Sequence, residues 1–199
     1  MSNSSVFTQI RKLVRPYLST RHNDVHTTIS TQFAYRLLSA EGGQERIVIP
    51  AILMHDVGWS KVPEALQIKA FGPNATMPEL TRRHESEGVK IAAEILDGLD
   101  YDSEQTAQIL QIIGGHDTRK KAISLDDQIV KDADKLWRYS RRGLQIDVER
   151  FGESYEQGLN RLRKNWPGCF FTYTARKLAW QELQKREREA GNDSRLDHN

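Results

Sequence analysis

Residues 47–61 read IVIPAILMHDVGWSK, and this stretch decides how the rest of the chain is interpreted. A continuous apolar run from Ile47 to Met54 leads directly into a polar pair, His55 and Asp56. Taken alone, such a short run is compatible with a buried strand or a buried helix. Because the flanking segments have helical spacing, we predict a buried helix with Pro50 in its first turn or at a kink.

The segments on both sides of this run place apolar residues three and four positions apart, as one face of a helix does. Ser124 and Asp127 have the spacing of a capping box, which predicts that a helix begins there. Residues 69–79 (KAFGPNATMPE) are rich in Gly, Pro and Asn and predict a loop. No strand alternation and no internal repeat is visible, so we predict an all-α helical bundle. The further helices are predicted around Val25 to Leu37, His84 to Ile95 and Ser103 to His116.

The character of the chain changes after about Arg142, where candidate catalytic groups become scarce. Residues 150–166 and 172–189 predict two more helices, and the polar tail from Gly191 is expected to fray. We therefore predict a domain over 1–142 and a helical C-terminal extension over 143–199. The extension is expected to stabilise the fold without supplying a metal ligand.

The composition fits a globular protein of 199 residues with a net charge of only +2. This near balance gives no reason to expect a nucleic-acid partner. No apolar run approaches the roughly 20 residues of a membrane span, so no membrane partner is expected. With Cys169 as the single cysteine and no recognisable signal peptide, the expected location is the cytoplasm. The sequence leaves the oligomeric state open.

Four histidines, His26, His55, His84 and His116, lie on or at the end of four different predicted helices, each on the apolar face. A single inward histidine is most often a hydrogen-bonded core residue. Four of them are better explained by a shared metal site, because neutral imidazole is the commonest nitrogen ligand of metals in proteins.

Carboxylates complete the candidate ligand set. Asp56 follows an apolar helix, where an unpaired charge is costly, and helix phase allows either Asp132 or Asp134 to face inward. The chain has no His-Glu-x-x-His, no Cys-x-x-Cys and no Walker glycine loop, which excludes those familiar metal and phosphate motifs.

The order of these residues resembles the HD-domain superfamily, an all-helical family named for its His-Asp doublet. The resemblance covers roughly residues 20 to 140. It rests on His26, on His55 and Asp56 within LMHDVGWSK, and on Asp134 within KDADKLW. The family places its late ligand at an Ala-Asp-x-Leu position, which implies Asp134 rather than Asp132; Asp132 would then support the site.

The resemblance also implies two metal ions. His84 and His116 correspond to the extra ligands of two-metal members, in which the doublet aspartate, here Asp56, bridges the ions. The chain departs from the common His-Asp-x-Gly-Lys form, with Trp59 where lysine is frequent and Lys61 two residues later. Mixed nitrogen and oxygen ligands suit iron, manganese, cobalt, nickel or zinc.

Such a site is suited to hydrolysis of a phosphate compound, since paired ions can stabilise both the attacking and the leaving oxygen. A phosphate substrate also needs cations. Of the basic residues close in sequence to the ligands, Lys61 and Arg119 are the preferred candidates, and with Asp56 they form the predicted catalytic set. Loop 69–79 lies between two ligand-bearing helices and is either a cover for the substrate or a plain connector.

Three functions remain in competition. The first is a phosphohydrolase that acts on a nucleotide or another small phosphorylated metabolite. The second is a diiron oxygenase of the same superfamily, which the ligand set does not separate from the first. The third is a non-catalytic signalling or binding module, which the complete set of ligand positions disfavours.

Overall fold

The computed structural model describes residues 3–72 and 75–196, and within them it consists of helices without strands. This confirms the predicted all-α bundle. Short 3₁₀ turns follow three of the helices at Arg15–Tyr17, Val57–Lys61 and Trp137–Tyr139. The α-helices are α1 (Asn3–Val14), α2 (Asn23–Glu41), α3 (Glu45–Met54), α4 (Glu64–Gln67), α5 (Glu79–Asp97), α6 (Ser103–Ile113), α7 (Leu125–Leu136), α8 (Arg141–Phe151), α9 (Tyr155–Asn165) and α10 (Tyr173–Leu196).

Helix α3 lies at the centre of the bundle, packed against α1, α2, α6 and α7. Every residue from Ile47 to Met54 is buried, which confirms the predicted buried helix. Pro50 lies inside α3 and has no N–H to offer the carbonyl of Arg46. The Tyr101 hydroxyl donates to that carbonyl oxygen instead, at 2.6 Å, so the interior proline leaves no unpaired acceptor.

Helix α7 begins where the sequence predicts it. The Ser124 hydroxyl accepts a hydrogen bond from the N–H of Asp127 at 3.1 Å, and α7 then packs against α2 and α3. Loop 69–79 also occurs as predicted in its described parts, where the N–H groups of Thr76 and Met77 donate to the Lys69 carbonyl. Residues 73–74 of that loop lie outside the described residues.

The C-terminal helices differ from the sequence prediction in their boundaries. The sequence predicts one helix over 150–166, but α8 ends at Phe151 and α9 begins at Tyr155. Gly152 adopts φ 64°, a left-handed conformation that ends a helix and favours glycine. Ser154 and Gln157 then form a full capping box. The left-handed glycine and the capping box therefore separate two helices in a segment for which apolar spacing alone predicts one.

The C-terminal segment is fixed to α7 by Asp132, for which the family resemblance implies a supporting role at the site. Its carboxylate instead accepts hydrogen bonds from the N–H groups of Phe171 and Thr172 and from the Thr172 hydroxyl, at 2.8–2.9 Å. Residues of α8–α10 join the same hydrophobic core as the earlier helices, and the domain division at 142 stays a prediction. Helix α10 continues to Leu196 beyond the predicted start of the frayed tail, and residues 197–199 lie outside the described residues.

Among the described helices, none combines the length and the apolar character that crossing a membrane requires.

Candidate metal centre

The six side chains predicted as metal ligands come together in the interior, although they come from five parts of the chain. All six residues are buried. His26 lies in α2, His84 in α5 and Asp134 in α7, while His55 and Asp56 follow α3 and His116 follows α6.

The first group of ligand atoms contains His26, His55 and Asp134. The Nε2 atoms of the two histidines are 2.8 Å apart. Oδ1 of Asp134 is 3.3 Å from Nε2 of His26 and 3.5 Å from Nε2 of His55. Three potential ligand atoms thus surround one point.

The second group contains His84 and His116, whose Nε2 atoms are 3.3 Å apart, together with Asp117. Oδ2 of Asp117 is 3.5 Å from Nε2 of His84 and 3.7 Å from Nε2 of His116. The sequence analysis missed Asp117. Its position directly after His116 was the available signal, but it lies beyond the end of α6, where helix phase gives no direction for a side chain.

Asp56 lies between the two groups. Its Oδ2 is 3.5 Å from Nε2 of His26 and 3.7 Å from Nε2 of His55. Its Oδ1 is 3.7 Å from Nε2 of both His84 and His116. Each oxygen of one carboxylate therefore faces a different pair of histidines.

The donor atoms fit divalent metal ions. Ligands at about 2.0–2.2 Å from an ion lie about 3–3.6 Å from one another, close to the separations observed here. The Nδ1–H groups of His55 and His116 donate to the carbonyls of Ile52 and Ile113, each at 2.8 Å, which leaves Nε2 as the unprotonated atom of the neutral ring. Nε2 of His55 nevertheless lies 2.8 Å from Nε2 of His26, and a cation between them would stabilise this arrangement.

Burial and neighbouring charges shift the pKa values of the clustered side chains in different directions. Burial by itself would raise the pKa of Asp56. The neighbouring histidines, His55 foremost, outweigh burial and lower this pKa well below its usual value. Burial lowers the pKa of His84 to about 4, so that ring is neutral at ordinary pH. For His116, burial is outweighed by the carboxylates of Asp117 and Asp56, which raise the pKa to about 10. The metal-free cluster thus attracts positive charge at its centre.

Gly58 and Trp59, in the 3₁₀ turn that follows the His55-Asp56 doublet, hold this turn and the nearby candidate ligands in position. A Cβ at Gly58 would lie 1.9 Å from the carbonyl oxygen of His84, so only glycine allows this turn to pack against α5. Trp59 stands where lysine is common in the family. Its ring stacks on His84 with centroids 4.1 Å apart, and its Nε1 donates to Oδ1 of Asp56 at 3.1 Å. Trp59 therefore orients two ligands.

Lys131 holds the turn that carries His116. Its ammonium group is buried and donates to the carbonyls of Gly115, His116 and Arg119 at 2.6, 2.7 and 2.9 Å. A buried cation that is fully hydrogen-bonded in this way fixes the backbone around it.

A cavity of about 60 Å³ opens over the cluster, lined by four of the clustered ligands and by three guanidinium groups. The three arginines are Arg21, Arg138 and Arg150. Arg138 and Arg21 lie four and five positions from the predicted ligands Asp134 and His26. Arg150 belongs to the C-terminal extension, so that segment reaches the site, although no described residue after 142 joins the clustered ligand groups.

Arg21 places its guanidinium in the interior at this cavity. Its guanidinium lies between the rings of Trp59 and Phe71, at 4.4 and 4.2 Å from their centroids. Its Nε and Nη1 atoms are buried without a hydrogen-bond partner in the described chain. Arg150 donates to the Arg21 carbonyl at 2.8 Å and pairs with the buried Asp147 at 3.2 Å. A buried guanidinium with unsatisfied donors is prepared to bind an anion.

The two cations that the sequence analysis preferred lie elsewhere. Lys61 is exposed at the end of its 3₁₀ turn. The Arg119 guanidinium pairs with the buried Asp127 at 2.9 Å and donates to the Gln111 carbonyl. Neither is among the cavity-lining residues. Proximity in sequence to a ligand did not bring these side chains to the cavity, because Lys61 lies at the surface and Arg119 is held by Asp127.

Comparison with known proteins agrees with this arrangement. The family model described as HD domain matches residues 24–139, so the chain belongs to the HD-domain superfamily. Membership supports a metal-dependent hydrolase of that superfamily. No curated protein matches the chain in sequence. The chain is similar to a crystal structure described as a predicted HD superfamily hydrolase from an uncultured Thermotogales bacterium. The TM-score is 0.64 at 21% identity, over 98% of this chain and 92% of the other, which shows a shared fold.

Proposed function

We propose that this protein is a phosphohydrolase that uses two divalent metal ions to cleave a phosphate ester or anhydride of a nucleotide or another small phosphorylated metabolite. The observation that carries the proposal is the placement of Asp56, whose two oxygens face the His26–His55 pair and the His84–His116 pair. A carboxylate between two sets of imidazoles is suited to bridge two ions.

In this proposal, His26, His55 and Asp134 would hold one ion, and His84, His116 and Asp117 would hold the other. Bound ions would supply Lewis-acid stabilisation of the phosphoryl group and lower the pKa of water near them. The chain itself binds and orients the substrate. Arg21 and Arg150 receive the non-bridging phosphoryl oxygens in the small cavity, and Trp59 keeps Asp56 and His84 in position.

The guanidinium groups favour phosphate over the alternative of a diiron oxygenase, which would use the same metal ligands. Three arginines line one small cavity, and Arg21 has buried donors without partners. A guanidinium matches the geometry and charge of phosphate oxygens. An oxygenase acting on a neutral carbon substrate has no use for this charge. The complete ligand set likewise argues against a non-catalytic module.

The test is a reconstitution experiment. The protein is freed of metal, loaded in turn with iron, manganese, cobalt, nickel and zinc, and assayed for metal stoichiometry. Each form is then screened for phosphate release from phosphorylated metabolites and, in its iron form, for oxygen consumption. We expect about two ions per chain and phosphate release that Asp56→Ala abolishes. Oxygen consumption without phosphate release would show that the oxygenase alternative is the correct one.

The same assay tests the two cations named from sequence. Lys61→Ala and Arg119→Ala are compared with Arg21→Gln at saturating metal. The geometry predicts that Arg21→Gln raises the Michaelis constant or lowers the rate more than either of the others. A larger effect at Lys61 or Arg119 would restore the prediction from sequence.

A further inference from the structure

The size of the cavity over the metal ligands restricts what can enter it. Its volume is about 60 Å³, a tenth of the roughly 600 Å³ of the cleft beside it. The smaller space suits the phosphoryl group that reacts at the candidate ligands, and the wider cleft suits the rest of a substrate.

A larger cleft of about 600 Å³ adjoins it, and Phe71 and Arg138 line both spaces. The far wall of the cleft comes from α9 and the end of α8, with Phe151, Arg161 and Lys164. The C-terminal extension thus provides half of a second, wider and basic compartment beside the metal ligands.

Arg138 stands at the junction of the two compartments. Its Nε is 3.5 Å from Oδ2 of the buried Asp147, and no hydrogen bond to its guanidinium is found in the described part of the chain. The same carboxylate faces Arg150 at 3.2 Å and Arg161 at 3.6 Å. One carboxylate therefore serves three guanidinium groups, of which Arg161 also pairs with Glu153. Arg138 retains both its charge and its donors for a ligand.

We propose that the substrate is a phosphoric anhydride, with its scissile phosphoryl group in the small cavity and its adjacent phosphate bound by Arg138 at the mouth of the larger cleft. This inference rests on the proposed phosphohydrolase function. It adds the substrate class and the direction in which the leaving group lies. A guanidinium that lines both spaces is placed to receive a second phosphate of a substrate that extends from one into the other.

The reaction is hydrolysis. The water oxygen forms a new bond to the scissile phosphorus, and the bond from that phosphorus to the bridging oxygen breaks. The bridging oxygen keeps the electron pair and becomes a terminal oxygen of the leaving phosphate, and one proton of the water is released to the solvent. Arg138 stabilises the charge that develops on this leaving phosphate.

A second cleft beside the small cavity is the alternative place for the rest of the substrate. A cleft of about 790 Å³ shares Arg21 with the small cavity and is lined by Arg11 and Arg15. This cleft shares one lining residue with the small cavity, whereas the cleft at Arg138 shares two. The shared residue, Arg21, has its buried guanidinium between the rings of Trp59 and Phe71. The larger overlap favours the cleft at Arg138, and Arg15 provides the variant that tests the other one.

The experiment measures the affinity of the metal-loaded protein for methylphosphonate and for methylenediphosphonate by calorimetry. Metal content is measured afterwards, since diphosphonates chelate metals. We expect the wild type to prefer the diphosphonate by about tenfold or more, the contribution of one charge-assisted contact. Arg138→Gln should lose most of that preference while it keeps its metal. Arg138→Lys should lose less of the preference, because lysine keeps the positive charge but lacks the planar guanidinium that can contact two oxygens at once.

The matched control is Arg142→Gln, an exposed arginine at the start of α8, which should behave as wild type. A full preference in Arg138→Gln overturns the inference, and so does a loss of preference in Arg15→Gln alone. If the metal-loaded wild type binds both probes equally, the inference fails and the phosphohydrolase proposal stands. If it binds its metals but neither probe, the proposed function fails as well.

Discussion

Glu85 fixes the position of Asp117, because its Oε1 accepts a hydrogen bond from the Asp117 N–H at 2.9 Å. The same carboxylate accepts the N–H and the hydroxyl of Thr118 at 2.9 and 2.6 Å. Burial alone raises the pKa of Glu85, but these hydrogen bonds lower it below its usual value, so the side chain is ionised. Helix α5 thus supplies His84 and also orients Asp117 on the other side of the second ligand group.

We predict that Glu85→Ala weakens the second metal position selectively. Loss of a group that orients ligands typically reduces metal affinity by about 10- to 100-fold. The first position, at His26, His55 and Asp134, should be unchanged. Competitive titration with a coloured chelator measures both affinities. Glu87→Ala is the matched control, since Glu87 pairs with Lys90 on the helix surface. Equal losses at both positions would contradict a selective role.

Asp56→Ala should remove most of the metal and all of the activity. The reason is that one carboxylate faces both pairs of histidines. His84→Ala should lose mainly one ion, because the other group keeps its own three donors. Metal analysis of the purified variants, with a phosphate-release assay, distinguishes the two patterns. Full metal content and full activity in Asp56→Ala would place the site elsewhere.

Lys131→Met should destabilise the fold. The change removes three hydrogen bonds from buried or partly buried carbonyls of the turn at 115–119, at a cost of about 3 kcal/mol in the free energy of unfolding. The second metal position should also weaken, since His116 lies in that turn. Urea unfolding of the metal-free protein measures the first effect. Lys135→Met, one turn along α7 and bonded to a single carbonyl, should cost less.

Metal binding should release protons near neutral pH. In the metal-free site, Asp117 and Asp56 raise the pKa of His116 to about 10, despite burial, so the ring is protonated at pH 7. A metal needs the unprotonated ring, and binding must displace that proton. Affinity should therefore rise as the pH rises towards about 10. His84, with a pKa of about 4, adds no proton above that range.

Calorimetric titration in two buffers of different ionisation enthalpy measures this release, with at least about one proton expected per chain. The release should diminish as the pH is raised to about 10, which provides an internal control. A binding enthalpy that does not depend on the buffer at pH 7 would show that His116 is already neutral in the metal-free protein.

The sequence determined the helices and most of the candidate ligands. Apolar spacing gives the inward face of each helix, and His26, His84 and Asp134 each lie on such a face. The doublet His55-Asp56 follows the most apolar run in the chain, so its burial is also readable from sequence. The order of these residues then identifies the superfamily, as the family match confirms.

Only the tertiary structure decided how the arginines and the carboxylate of Asp117 come to lie beside the other candidate ligands. Arg21 and Arg150 are 129 positions apart in the chain yet hydrogen-bonded in the fold. Arg119, three residues after His116, pairs with Asp127 instead of reaching the cavity. Helical periodicity specifies which face of a helix turns inward, but not which faces meet. It gives no direction at all for side chains in turns, where Arg21, Asp117 and Arg119 lie.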